Sequence, residues 1–319
     1  MEAAVFPPVP FEADEMHPIR MIYNPEADRG RSYQIAGDLR QLSSEWGGAD
    51  WVGTDYPGHA GELAAAAARE GYETVVALGG DGTVHEVVNG LLQVEDSLRP
   101  RLGVVPLGSG NDFSAGIGVP SDPTAALRRI FKGGQVKSVD IGRVEDASGR
   151  VEYWCNVLGI GFDAAINIQS RHIPWLHGFW MYLAAVIRTI ILKYERPLLE
   201  FEMDGKKQSG RYLMLTIGNG KREGGGFRFA PDAEMDDGRL DYMLIETISR
   251  LQMLRLIPEV MRGTHGRFPV VHLGRFRSLR LHADMALPIQ ADGEMFAPYA
   301  ADVRDVEVQV MPRALQVVG

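Results

Sequence analysis

Several short runs in this 319-residue chain carry residues suited to handling phosphate, a metal ion and a proton. The first is Leu78-Gly79-Gly80-Asp81-Gly82-Thr83-Val84. It follows the apolar run Thr74–Leu78 and precedes apolar residues at helical spacing from Val84 to Leu92. A glycine-rich turn between a strand and a helix N-terminus offers backbone N–H groups and the positive end of a helix dipole to a phosphate. Asp81 is the odd member. A carboxylate repels phosphate unless a cation lies between them, so Asp81 points to Mg²⁺ with a nucleotide. The plainer reading is a tight turn, where Gly and Asp are ordinary. The loop lacks the Lys-Ser/Thr pair of a Walker A motif and the G-x-G-x-x-G spacing of a dinucleotide site.

Gly108-Ser109-Gly110-Asn111-Asp112 repeats that logic, with the Ser109 hydroxyl free for phosphate or ribose. Alternatively, Asn111 and Asp112 cap the next helix. Gly218-Asn219-Gly220 and Gly224-Gly225-Gly226-Phe227 make either a flexible loop or a close approach to a ligand. Pro231 to Asp241 holds five acids in eleven positions. Such a loop wraps a hard cation or forms an Asp-Gly hairpin turn. Asp292-Gly293-Glu294 sets two carboxylates two residues apart. If the segment is extended, both face one side. One then takes a proton from an attacking hydroxyl while the other supports Mg²⁺. As an isolated tripeptide it is only a turn. The eight histidines show no metal-ligand spacing and no G-x-S-x-G elbow occurs, so zinc and serine-hydrolase chemistry have little support.

These residues need elements to hold them. Strand readings at Ile19–Tyr23, Asp50–Gly53, Thr74–Leu78 and Leu102–Val105 alternate with helical readings at Ser32–Trp46, Gly61–Glu70, Val84–Leu92 and Pro123–Phe131. That order predicts a doubly wound, mostly parallel α/β sheet. Ligands then bind at the carboxyl ends of the strands, where Asn24, Thr54, Gly79–Thr83 and Gly108–Asn111 converge. From Val139 onward short strands dominate: Val151–Val157, Leu198–Met203, Arg211–Ile217, Leu240–Ile245, Ser278–Leu281 and Val306–Met311. They read as an all-β domain, with two inserted helices, one in the apolar segment Ile173–Leu192 and one at Leu251–Met261. His177 and Arg188 interrupt the apolar segment, leaving Phe179–Ile187, which is too short to span a bilayer. It is a buried helix, or one that lines a lipid cleft or touches a membrane surface.

The net charge of −9 argues against nucleic-acid binding. The single cysteine, Cys155, excludes an internal disulfide, fits a reducing cytoplasm and sits in an apolar run that reads as core. Met1–His17 carries acids and prolines, without a basic start and apolar stretch, and reads as a mobile extension, not a signal peptide.

In order, the chain shows Asn24-Pro25, Thr54 with Gly58-His59-Ala60, Gly79–Thr83, Pro106–Phe113, Gly159-Ile160-Gly161-Phe162-Asp163, Gly218–Gly226, Pro231–Asp241 and Asp292-Gly293-Glu294. Together they resemble the diacylglycerol kinase and sphingosine kinase-like lipid kinases, over nearly the whole chain from Ile19. The resemblance implies an N-terminal nucleotide domain similar to NAD kinase and phosphofructokinase (18–138), and a C-terminal β-sandwich lipid domain (139–303). It also implies a final strand (304–319) returning to the first domain and an active site in the cleft between them. It implies ATP and Mg²⁺, a lipid acceptor such as diacylglycerol, transient contact with the inner membrane face from the cytoplasm, and a homodimer.

Carried over by position, Asn24, Pro25, Glu26, Ala27, Asp28, Thr54, Gly79, Gly80, Asp81, Gly82, Thr83, Val84, His85, Ser109 and Asn111 bind ATP. Asp237, with the carbonyls of Glu234 and Arg239, holds a structural Mg²⁺. Glu294 accepts the proton, while Asp292 and Asp81 arrange water and the catalytic Mg²⁺, supported by Asp140. Two departures stand out. The first loop, Asn24–Arg31, is longer and more acidic than the family pattern, leaving Arg29 or Arg31 for the phosphate, and Ser109 stands where Thr is usual. Arg262, Arg267, Arg275, Arg277 and Arg280 offer either an anionic-lipid face or a solvated one. The competing readings are an NAD kinase, whose Gly-Ser-Thr-Ala-Tyr loop and Asn-Glu pair are missing here, and a nucleotide- or lipid-binding module without turnover.

Overall fold

Runs of β-branched and aliphatic residues build the centre of the first sheet, where both faces are covered. The computed structural model describes residues 18–27, 31–173, 176 and 178–318. Its first part runs β1 (Ile19–Tyr23), α1 (Arg31–Glu45), β2 (Asp50–Gly53), α2 (His59–Glu70), β3 (Thr74–Gly79), α3 (Asp81–Leu92), β4 (Arg101–Pro106), α4 (Asp112–Gly116) and α5 (Pro123–Phe131). The strands are parallel in the order β2-β1-β3-β4. Every residue of the central β3 is buried. Tyr23 lies beside Gly53 and Leu78, and Gly79 beside Pro106. The chain therefore leaves all four strands at one edge, delivering Asn24, Thr54, Gly80 and Leu107 to the same place.

The helix expected from Val84 starts earlier, at Asp81. Gly80 caps it in an extended conformation, and Asp81 lies in the first turn, where the helix dipole favours a carboxylate.

The second part continues with β5 (Val136–Asp146), β6 (Val151–Trp154), β7 (Val157–Gly161), α6 (Phe162–Ser170), α7 (Gly178–Leu192), β8 (Leu198–Met203), β9 (Lys206–Gly218) and β10 (Leu240–Glu246). It ends with α8 (Arg250–Arg262), β11 (Val271–Phe276), β12 (Ser278–Ala283), β13 (Ile289–Ala291), β14 (Glu294–Ala297) and β15 (Asp305–Val318). One face of the sandwich is β14-β13-β7-β9-β10-β11, and the other includes β8, β12, β15, β5 and β6. Long β9 serves both: Lys206–Arg211 pairs with β8, and Met214–Gly218 pairs with β7 and β10. Trp154, Leu215, Phe276, Phe296 and Val308 fill the space between them. β15 pairs with β12 and β5, then joins β4 in parallel through Val317 and Val318.

Two readings are corrected here. The strand expected over Val151–Val157 breaks at Cys155-Asn156, because the N–H groups of Cys155, Asn156 and Val157 turn toward one carboxylate, that of Asp292. Among the described residues the second part also carries three α-helices, not two. The additional one, α6, is short and starts from Gly161 in a left-handed conformation (φ 78°). Helices α6, α7 and α8 cover one sheet face through Phe162, Ile166, Tyr182, Ile190, Leu256 and Val260. Among the described residues no helix is long and apolar enough to cross a membrane.

Candidate active site

Two clefts open where the carboxyl edge of the parallel sheet faces the sandwich. The larger encloses about 1120 Å³ and the smaller about 320 Å³, and they meet at Asp81, Ser109, Gly110 and Glu294. Asn24–Ala27, Thr54, Gly80–Thr83, Gly108 and Ser109 line the larger cleft. The turn after β1 is fixed from within: Glu26 N donates to Asn24 Oδ1 (2.9 Å) and the Ser32 hydroxyl to Asn24 O (2.5 Å). Asp28 and Arg29 lie outside the described residues, and Arg31 opens α1.

The two glycine loops touch backbone to backbone. A Cβ on Gly108 would sit 2.6 Å from the Gly80 Cα, so no larger residue fits. Asp81 ties the loops together, accepting from the backbone N–H groups of Asn111 (2.7 Å) and Asp112 (2.9 Å). Asn111 itself is a staple: its amide donates to Gly108 O (2.6 Å) and accepts from Gly108 N (3.0 Å). Burial, reinforced by the charge of Asp112, pushes the Asp81 carboxyl up to about 6. A carboxylate this costly to ionise gains from a nearby cation. In the nucleotide-free protein Asp81 is therefore expected to titrate near pH 6 by carboxyl NMR, with the resonance missing in Asp81→Asn. Mg²⁺ with nucleotide should draw that midpoint down, and an unmoved midpoint would argue against cation contact.

Four expected nucleotide contacts do not reach the cleft. Gly79 is buried at the end of β3, Val84 is buried in α3, Asn111 lies behind its loop, and His85 is only 3% exposed. His85 instead places Nδ1 3.2 Å from Asp292 Oδ2 and Nε2 2.9 Å from Glu152 Oε1. Burial alone would lower its pKa, but the two carboxylates override this and raise it to about 10. Beside it, Asn89 bridges α3 to β6, donating to Tyr153 O (2.8 Å) and accepting from Tyr153 N (2.9 Å).

The Asp292-Gly293-Glu294 segment is not extended, so its carboxylates do not share a face. Asp292 (φ 52°) and Gly293 (φ 90°) are both left-handed, as in a tight hairpin between β13 and β14. The Asp292 side chain is 2% exposed and that of Glu294 is 55%. Asp292 accepts from the backbone N–H of Cys155 (2.8 Å), Asn156 (2.8 Å) and Val157 (3.0 Å) as well as from His85. Burial opposes its ionisation, yet His85 and the backbone donors hold its pKa below the usual carboxylate range. Glu294 faces the start of α3, where a Cβ on Gly82 would lie 3.3 Å from Oε1. Its Oε2 is 3.6 Å from Arg171 Nη2.

Asp140 is fully buried and lines neither cleft. Its carboxylate accepts from Gly238 N (2.6 Å) and Arg313 N (2.7 Å), bracing the acidic loop. In that loop Asp237 accepts from Arg239 N (2.9 Å), while Arg275 reaches Asp237 (3.3 Å), Asp241 (3.1 Å) and the Asp232 carbonyl (2.8 Å). Among the described residues no three His, Cys, Asp or Glu side chains converge as a metal group.

The smaller cleft adds residues whose spacing gave no signal: Asn167 on α6, Arg171 just after it, and Glu223 before the triple glycine. The Asn167 amide donates to Gly293 O, and Arg222 Nε lies 2.8 Å from Asp112 Oδ1.

Two family models match in tandem. The diacylglycerol kinase catalytic domain covers residues 18–144, and the YegS C-terminal NAD kinase beta sandwich-like domain covers 156–319. A diacylglycerol kinase of Mycobacterium tuberculosis is 32% identical over 257 residues, 80% of this chain and 79% of the relative. The chain belongs to the diacylglycerol kinase family of lipid kinases. A diacylglycerol kinase of Bacillus subtilis is 27% identical over 86% of this lipid kinase and 89% of its own length. A crystal structure of a diacylglycerol kinase from Bacillus anthracis shares the fold, with a TM-score of 0.69 at 20% identity over 94% of this chain and 96% of that one. The two-domain architecture of this lipid kinase sets its two clefts on either side of Glu294.

Proposed function

We propose that the protein transfers the γ-phosphoryl group of ATP to a lipid hydroxyl in a Mg²⁺-dependent reaction, converting diacylglycerol to phosphatidic acid. The observation that carries this reading is the position of Glu294, an exposed carboxylate where the two clefts join. ATP occupies the larger cleft with its phosphates at Gly80–Gly82, against the α3 N-terminus. The acceptor hydroxyl enters through the smaller cleft. Its oxygen bonds to the γ-phosphorus, its proton passes to Glu294, and ADP leaves. Asp81 would hold Mg²⁺, which when bound would neutralise phosphate oxygens. Asp237, with the Glu234 and Arg239 carbonyls, would hold a second, structural ion. Because the transition state spreads charge over the phosphoryl oxygens, most of the catalysis is positioning and electrostatics. The test is labelled ATP with Mg²⁺ and a panel of lipid alcohols, read by mass spectrometry. Tight ATP binding without any phosphorylated lipid would overturn the assignment.

An exposed apolar surface supports the same reading. Arg250 Nε donates to Ile190 O (2.9 Å), joining the start of α8 to the end of α7. There Ile191 and Leu251 are 61% and 77% exposed, with Leu192 and Leu254 also exposed and Arg188, Arg250 and Arg255 on the same two helices. Exposed apolar residues among arginines suit the inner, anionic leaflet. Ile191→Asp with Leu251→Asp should weaken binding to anionic vesicles about tenfold or more in flotation assays. Unchanged flotation would remove this face from the membrane contact.

A further inference from the structure

Asp163 and Glu223 form a buried pair of carboxyl groups for which the reaction above has no use. They are 1% and 9% exposed, and among the described residues neither pairs with a Lys, Arg or His. One amide bridges them: Gln290 Nε2 donates to Asp163 Oδ2 (3.2 Å) and to Glu223 Oε1 (2.9 Å). Its orientation is fixed, because Gln290 Oε1 accepts from Gly293 N (2.7 Å), in the turn that carries Glu294. Asp163 also accepts from the Tyr182 hydroxyl (3.3 Å), whereas Glu223 Oε2 has no partner. Two adjacent buried carboxylates without a counter-charge cannot both ionise. Asp163, with two donors, keeps the charge. Burial and the neighbouring Asp163 push the Glu223 pKa well up, so the proton stays on Glu223.

The location of the pair gives that proton a use. Glu223 and Tyr182 line the smaller cleft together with Glu294. Tyr182 packs on Phe227 (ring centroids 4.9 Å apart), and Phe227, with Phe162, Val186 and Leu213, walls a separate apolar cavity of about 60 Å³. The pair therefore stands between the polar cleft and the apolar interior. An amphiphile with its hydroxyl at Glu294 and its chain toward that interior must carry its next polar atom past Glu223.

We infer that Glu223 is a specificity-determining hydrogen-bond donor, reading an uncharged oxygen of the acceptor close to the hydroxyl that is phosphorylated. The ligand class is an ester or ether of a vicinal diol, preferred over a simple fatty alcohol and over an amino alcohol. This rests on the lipid-kinase reading of the cleft. A buried donor left without its acceptor is what rejects the simple alcohol.

The test compares 1,2-dioctanoylglycerol, 1-tetradecanol and sphinganine with the full chain and with Glu223→Gln and Glu223→Leu. The preference for dioctanoylglycerol over tetradecanol, as a ratio of kcat/KM, should fall about 10- to 100-fold in Glu223→Leu and less than about threefold in Glu223→Gln, whose amide still donates. A ratio unchanged in Glu223→Leu overturns the inference. So does a wild-type preference for sphinganine that Glu223→Gln abolishes, which would mean an ionised pair receiving an ammonium. If no acceptor is phosphorylated, the kinase reading fails and infrared spectroscopy still decides this one. The wild type should show a protonated-carboxyl stretch that is missing in Glu223→Gln and shifts on adding dioctanoylglycerol. Absence of that band overturns the inference.

Discussion

Glu294→Gln is expected to lower kcat for lipid phosphorylation by about 10²- to 10⁴-fold, the usual contribution of a positioned general base. Five carboxyl groups line the smaller cleft, and of these Glu294 is the exposed one. Asp81 spends both oxygens on the N–H groups of Asn111 and Asp112, and Asp292 is enclosed by three backbone donors and His85. Glu294 keeps a loose 3.6 Å approach to Arg171 and otherwise faces the start of α3. Glutamine preserves size and polarity but cannot take the proton. Since the side chain is more than half exposed, stability should change by no more than about 0.5 kcal/mol, and ATP binding by titration should be little affected. Single-turnover measurements with labelled ATP separate the chemical step from binding. A variant retaining more than about a tenth of the wild-type rate would remove Glu294 from the role of base.

The parts of this site that sequence made legible share one property: they follow from topology. A parallel sheet must bring the ends of its strands to one edge, so Asn24, Thr54, Gly80 and Ser109 could be placed together before any side chain was seen. The apolar run before Gly79 reads as a buried strand because burial on both faces leaves no polar alternation. The Asp292-Gly293-Glu294 turn obeys different rules. Two left-handed residues send Asp292 inward and Glu294 outward, and two-residue spacing cannot distinguish that turn from an extended strand. The partners of Asp292 lie 135 to 137 positions earlier, in a run that looks like one unbroken strand. His85 misleads for a related reason. It adjoins a phosphate-type loop in sequence, but a helix starting at Asp81 turns its fifth residue toward the sandwich and not toward the cleft. Glu223 and Asp163 meet only through Gln290, across three separate segments. No local pattern announces a contact of that kind.

The second large effect belongs to the clasp between His85 and Asp292, which holds the Glu294 turn against α3. Asp292→Ala strips the acceptor from three backbone N–H groups and leaves a buried imidazolium facing only Glu152. Breaking a buried pair in this way costs about 3 to 5 kcal/mol. Urea unfolding should show that loss, and kcat should fall with it as Glu294 loses its register with Gly82. The pH dependence has a definite sign. The folded pKa of His85, about 10, lies above the ordinary imidazole value of 6.5, so its contribution is complete below pH 6.5 and fades as pH rises through 10. Asp292 is depressed in the folded state, so its contribution is present above its unfolded pKa and is lost only as pH falls through the lower folded value. The clasp is therefore strongest in mildly acidic solution and weakens toward alkaline pH. Wild type and His85→Gln, compared by urea unfolding at pH 6 and pH 9.5, should differ more at pH 6. The gap should narrow by up to about 4 kcal/mol at the higher pH. A gap that stays constant between the two would show that His85 is neutral in the fold, and that packing, not charge, seats the catalytic turn.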